Sequence, residues 1–132
     1  MQYLLDSNFC IEILRGKSYV AKAKLLTIEV SLLALCSLVE AELLVGVALS
    51  HNPASALNKL APFLALPSFS FDRLAAQHYA AIRSELQLQG RLIGANDLMI
   101  AAIARANNLT LVTHNTGEFG RVRDLPIEDW QI

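Results

Sequence analysis

The sequence predicts an α/β sandwich built on a parallel sheet, and three observations predict it. Short apolar runs such as Val30–Leu35 and Leu109–Val112 read as strands covered on both faces. Helical stretches alternate with those runs, as crossover connections require. The stretch Gly94–Asn115 reads as a helix and then a strand, with polar residues at each junction. From Leu98 to Ala106 only Arg105 is polar, so that helix is expected to be buried on most sides. Asp97 stands at its first turn, where the helix dipole favours a negative charge. The strand after it ends in Thr113, His114 and Asn115, at the edge where open parallel sheets bind ligands.

The remaining elements follow in order. Gln2–Leu5 is a short strand that stops at Asp6-Ser7-Asn8, and Ser7 or Asn8 can cap a helix over Phe9–Leu14 that Gly16 ends. Tyr19–Leu26 suggests a second short helix. After the strand Val30–Leu35, Ser37 and Glu40 match a capping box that starts a helix reaching about Leu49. Asn52 as cap and Pro53 at the first helical position begin another, to about Ala65. Pro67–Phe71 suggests a brief strand. Asp72 caps a long helix to about Gln89, with Leu74, Tyr79, Ile82 and Leu86 as its apolar stripe, and Gly90 stops it. Beyond Asn115, Glu118-Phe119-Gly120 reads as a loop and Pro126–Ile132 as a short end.

The 132 residues fit a single domain, 1–132, long enough for a proper core. Apolar residues make up 54% and charged ones 17%, which argues against extended disorder. A net charge of −1 gives no global attraction to nucleic acid or anionic membranes, so any such contact must come from local clusters. Cys10 and Cys36 have no metal or redox spacing, and a reduced, cytoplasmic setting is the simplest reading. Asp6 interrupts the start before a signal peptide could form. The one membrane candidate, Val30–Leu49, carries Glu40 and Glu42 near its middle, at roughly 2.5–3.5 kcal/mol each. It reads instead as a buried strand followed by a buried helix, with no membrane role.

Three acids are placed where chemistry is expected. Asp6 ends the first strand, Asp97 opens the central helix, and Glu42 shares a helix face with Leu38, Val45, Gly46 and Leu49. If they converge at about 5 Å, an effective dielectric of about 20 makes each like-charge pair cost roughly 3 kcal/mol. Such a cluster calls for a cation, and hard oxygen ligands select Mg²⁺ or Mn²⁺ over zinc. Its usual work is phosphodiester hydrolysis. Each residue also has a plainer role open to it. Asp6 can cap the following helix, Asp97 can serve its own helix dipole, and Glu40 can complete the capping box. Asn115 can be a turn residue, while Glu118 and His114 can be solvated loop residues. Glu42 fits such a role worst, with no helix end to serve and no base at i±4.

Four motifs in order complete the reading: LLDSN at Leu4–Asn8, AELLVG at Ala41–Gly46, IGANDLMIAA at Ile93–Ala102 and LVTHNTGEF at Leu111–Phe119. Together with the ending at Ile127–Trp130, they resemble the PIN-domain ribonucleases, and among these the VapC toxins of bacterial toxin–antitoxin pairs. The resemblance covers nearly the whole chain. It implies a three-layer α/β/α sandwich with a central parallel sheet and a Mg²⁺-dependent endoribonuclease site, Mn²⁺ being a possible substitute. The catalytic and metal-binding acids it implies are Asp6, Glu42 and Asp97. Ser7, Asn8, Asn96, Thr113, Asn115 and Glu118 support them. Ser7 replaces the usual threonine but keeps a hydroxyl. Asn115 stands where many PIN domains have aspartate, so either it or Glu118 completes the site.

The resemblance also implies a VapB-like antitoxin, a homodimer and a toxin–antitoxin hetero-oligomer. RNA is the implied substrate, with tRNA among the candidates because enteric members cut initiator tRNA. Since the pocket itself is acidic, RNA must be held by bases at its rim. Arg15, Lys17, Lys22 and Lys24 form the densest basic stretch, and Arg121 with Arg123 the second. A PIN-like module that binds RNA or protein without cutting is the competing expectation, motivated by Asn115. An aspartyl-nucleophile phosphatase fits less well, because Asn8 occupies the position of its second acid. No phosphate-cradling glycine–lysine loop is present.

Overall fold

The computed structural model describes residues 2–132. Five parallel strands form one sheet in the order β3-β2-β1-β4-β5, where β1 is Tyr3–Leu5, β2 Leu33–Cys36, β3 Ser68–Phe69, β4 Thr110–Val112 and β5 Ile127–Glu128. The register aligns Leu5 with Val112, so Asp6 and Thr113 leave the sheet side by side. The chain adds β2 and β3 on one side of β1 and then returns to add β4 and β5 on the other. The order therefore reverses between β1 and β4, the crevice where open parallel sheets take ligands.

Right-handed crossovers put the helices that follow β1 and β2 on one face and those that follow β3 on the other. On the first face lie α1 (Ser7–Arg15), α2 (Tyr19–Leu26), α3 (Ser37–Ala48) and α4 (Pro53–Leu64). On the second, α5 (Arg73–Leu88) runs along α6 (Ala95–Ala106). The result is an α/β/α sandwich. Its core holds Leu4, Leu5, Leu35, Leu111 and Val112 of the sheet, with Phe9, Val39, Ile100 and Ile103 from the covering helices, all at most 2% exposed. The helix expected to be buried most is so: Leu98 and Ile100–Ala104 of α6 are all buried. Asn108, in the left-handed region at φ 55, turns the chain from α6 into β4. No helix among the described residues is long and apolar enough to cross a membrane.

Several local expectations need correction. Asp6 itself caps α1: Phe9 N–H donates to Asp6 Oδ1 at 2.8 Å, so neither Ser7 nor Asn8 has that task. Any of three consecutive polar residues could have capped, and the sheet decides by bonding Asp6 N–H to Val112 O. Cys36 is the residue before α3, which has no side-chain cap, so the Ser37–Glu40 box does not form. Val30–Leu32 is a 3₁₀ turn, and β2 starts only at Leu33. Nor is α3 buried all round, since Leu44 and Val45 are exposed, as is Leu49 just past its end. The buried stripe of α5 runs through Ala75, Ile82 and Leu86, leaving Leu74 exposed. The strand expected over Pro67–Phe71 is only Ser68–Phe69, and the expected loop at 118–120 belongs mostly to a one-turn helix, α7 (Thr116–Phe119). The short end contributes β5.

Candidate active site

Asp6 is the innermost acid, 5% exposed at the end of β1. Burial raises its pKa most. The Thr113 hydroxyl and the Phe9 N–H oppose that rise as hydrogen-bond donors, while the charges of Glu42 and Asp129 add to it. Thr113, itself buried, also accepts from Asn115 N–H at 3.0 Å, which fixes the turn out of β4. The strand pair thus sets both the acid and the corner beside it.

Glu42 approaches from α3. Ser7 Oγ donates to its Oε1 at 3.2 Å, joining α1 to α3 at the edge of the crevice. Asp97 approaches from the other face, in the first turn of α6. Its pKa is raised from 3.8 to about 6, first by desolvation and then by Glu118, with Glu42 and Asp6 contributing. Glu118 acts both as a hydrogen-bond partner and as a like charge. Asn115 Nδ2 donates to Glu118 Oε2 at 3.3 Å, so these two residues meet at Asp97 as a pair.

Four carboxylates from β1, α3, α6 and α7 therefore share one electrostatic neighbourhood. Among the described residues, no three acid, histidine or cysteine side chains are drawn together as a ready-made metal cage. Mg²⁺ does not need one. It keeps several waters and binds through one or two carboxylates plus substrate phosphate, so the donor set fits a hard divalent cation.

The supporting and basic residues separate into groups. Asn8 is exposed on the first turn of α1, and Asn96 is exposed beside Asp97. Arg15 lines a polar cavity with Asn8 and Asn115, next to the acids. Lys17, Lys22 and Lys24 are exposed around α2, with Lys24 Nζ 6.0 Å from the Trp130 ring. Arg121 donates to the carbonyls of Arg91 and Leu92, bracing the loop before α6. Arg123 pairs with Glu85 of α5 at 3.1 Å. Both guanidinium groups are thus engaged by the protein itself.

Two residues escaped the sequence reading. Asp129 adds its charge to the field at Asp6 and holds His114, with Nδ1–H donating to its Oδ2 at 2.8 Å. Gln131 N–H donates to the other oxygen at 2.9 Å. The acid comes from the last segment of the chain, where no motif marks it. The only signal was Trp130 beside it, a large apolar residue that must pack, here edge-on to Tyr3 and Phe9.

Comparison with known proteins places the chain in context. The model of the PIN domain matches residues 3–125. Ribonuclease VapC2 of Rickettsia felis is 38% identical over 133 residues, with 98% of each chain covered. The tRNA(fMet)-specific endonuclease VapC of Shigella flexneri is 34% identical over 131 residues, again with 98% of each covered. Among solved structures, VapBC2 from Rickettsia felis, bound to a promoter DNA fragment, superposes with a TM-score of 0.89 at 35% identity, covering 98% of this chain and 99% of that one. DNA-bound VapBC from Salmonella typhimurium gives 0.90 at 32% identity, with 98% of both covered.

Proposed function

Because this chain belongs to the PIN-domain family, we propose that residues 1–132 form a single PIN domain acting as a metal-dependent endoribonuclease, the toxin of a toxin–antitoxin pair. The observation that carries the reading is the group of carboxylates at the β1/β4 crevice, where burial first, and then Glu118 with the charges of Glu42 and Asp6, raises the Asp97 pKa to about 6.

In this reading Asp6 and Asp97 are the principal metal ligands, and Glu42 either joins them or takes the proton from the attacking water. When bound there, Mg²⁺, or Mn²⁺ in its place, would lower the pKa of water and neutralise charge on the phosphate. Ser7 holds the Glu42 carboxylate by its hydrogen bond, limiting where that base can point. Thr113 and the N-terminus of α1 hold Asp6. Water adds to phosphorus in line, the P–O3′ bond breaks, and the leaving oxygen takes a proton. The products are a 5′-phosphate and a 3′-hydroxyl. Asn115 and Glu118 surround Asp97, and Asn8 and Asn96 extend the polar rim.

Asn115 gives the site one negative charge fewer than an aspartate would, but it hydrogen-bonds Glu118, which supplies a carboxylate against Asp97. The non-cutting alternative draws no support from that position. RNA enters over Arg15, Lys17, Lys22 and Lys24. Relatives solved as VapBC complexes support a VapB-like antitoxin and a hetero-oligomer. An apolar groove of about 530 Å³, with Leu14, Leu25, Ile28, Pro62 and Phe63 in its walls, gives such a partner apolar surface to cover. Exposed Leu44 and Val45 on α3, with Leu49 just past its end, offer the same to a second copy in a homodimer.

The test is incubation of the purified, antitoxin-free protein with total bacterial RNA in Mg²⁺ or in EDTA, beside Asp97→Asn. Discrete fragments that need both Mg²⁺ and Asp97 are expected. Intact RNA together with tight RNA binding and no Mg²⁺ affinity would establish the non-cutting module instead.

A further inference from the structure

We infer that the polar cavity bounded by Asn8, Arg15, His114 and Gln131 is a nucleobase pocket, holding one unstacked base of the RNA strand beside the cut. The inference rests on the ribonuclease reading and adds to it the place where sequence preference is set.

The cavity measures about 430 Å³ and opens next to the acids, sharing Asn115 with them. Its walls come from one face of α1, from the turn after β4 and from the last segment of the chain. Such a volume is ample for a planar base. The lining suits one as well, with side-chain amides at Asn8 and Gln131, an apolar contact at Ile11 and an imidazole at His114.

Two observations favour a base over a bare phosphate. First, His114 is exposed yet held in place: its side chain is 60% accessible, while the Asp129 that anchors Nδ1 is 9% accessible. Because Gln131 N–H fixes the same carboxylate, the ring is set before any ligand arrives. A ring held at the edge of a cavity is a stacking platform, the usual way proteins grip splayed single-stranded RNA bases. Second, Gln131 lines the cavity and its buried Oε1 has no hydrogen-bond partner among the described residues, so a turn of the amide toward the cavity would let a ligand satisfy it. Buried acceptors are rarely left unpaired, and a lone acceptor wants an N–H. Phosphate oxygens have none to give, whereas the Watson–Crick edge of every base carries at least one. Glu12, also on the rim, is a further acceptor that disfavours a phosphate there. Arg15, at the far end of α1, remains for the backbone of the same nucleotide.

The test uses single-stranded oligoribonucleotides spanning the mapped cut, each with one abasic position, and the Asp97→Asn protein to prevent cleavage. Binding is followed by fluorescence anisotropy in that background and with His114→Ala or His114→Phe added. At one position beside the cut, loss of the base should weaken binding about tenfold, and His114→Ala should remove most of that dependence. His114→Phe should restore it, because a phenyl ring can still stack. Gln131→Leu should flatten the preference among the four bases at the same position. Equal abasic losses with and without His114, at every position, would overturn the pocket. So would loss of antitoxin affinity in His114→Ala with RNA affinity unchanged, which would assign the cavity to a peptide. Failure of the ribonuclease reading looks different: the wild-type chain leaves every RNA intact and Asp97→Asn binds none of the oligonucleotides, and the pocket falls with it.

Discussion

Ser7 Oγ donates to Glu42 Oε1 across 3.2 Å, so the residue that follows the innermost acid in sequence holds another acid from a different helix. Glu42 has few other constraints at the half-buried edge of α3, and the hydroxyl restricts its rotamers. Ser7→Ala should therefore lower kcat about tenfold, since misplacement of a catalytic group costs rate even when the group is retained. Ser7→Thr should keep most of the rate, and Glu42→Gln should lose far more than either. Single-turnover cleavage of one RNA by the three variants measures the order.

Asp6 has two tasks, and two substitutions separate them. As the cap of α1 it accepts from Phe9 N–H at 2.8 Å, and losing such a cap costs about 1 kcal/mol. Asp6→Ala should abolish cleavage and lower the unfolding free energy by about that amount. Asp6→Asn retains a capping oxygen, so it should abolish cleavage with stability close to the wild type. Urea denaturation beside the cleavage assay distinguishes the two effects.

Burial and Glu118 place the Asp97 carboxyl at about 6 instead of 3.8. The folded chain thus holds this proton more tightly than the unfolded chain does. The stabilisation is complete below the unfolded value and is lost as pH rises through the folded one. In EDTA, the melting temperature of the wild type should fall relative to Asp97→Asn between pH 3.8 and about 6. Asp6, also raised, weakens both proteins as pH rises and so largely cancels from this comparison. Mg²⁺ at neutral pH should raise the wild-type melting temperature by on the order of 5 °C and leave Asp97→Asn nearly unmoved.

The basic residues should differ in their response to salt. Arg123 is occupied by Glu85, whereas Arg15 faces the polar cavity. Each phosphate contact contributes roughly 0.7 to the logarithmic salt slope for single strands, so Arg15→Ala should flatten the slope by about that much. Arg123→Ala should leave it unchanged and reduce stability slightly instead.

Much of this was legible in the sequence because some residues leave few alternatives. An almost wholly apolar helix followed by an apolar strand can only be interior, and α6 and β4 are so. Asp6, Glu42 and Asp97 stood out by lying at element ends or on an apolar face. Features set by contacts between distant segments were not legible. Asp6 became the cap because its N–H is drawn to Val112 O, and nothing local distinguishes it from Ser7 or Asn8. Val30 reads as strand by type but is 68% exposed in a 3₁₀ turn. The two residues of β5 are too few to carry a period, and Asp129 reaches the site only because Trp130 docks against Tyr3 and Phe9.

The central strand of the sheet is also the first to be made. β1 needs β4 on its far side, and Asp6 needs the Thr113 hydroxyl that β4 brings, more than a hundred positions later. Domains begin to fold during synthesis, but a contact cannot form before both its partners exist. A nascent chain can thus pair β1 with β2 while still lacking the corner at Thr113 that holds Asp6. The making of β4 is therefore the step at which the crevice between it and β1 first exists, and with it any surface there that a partner could cover.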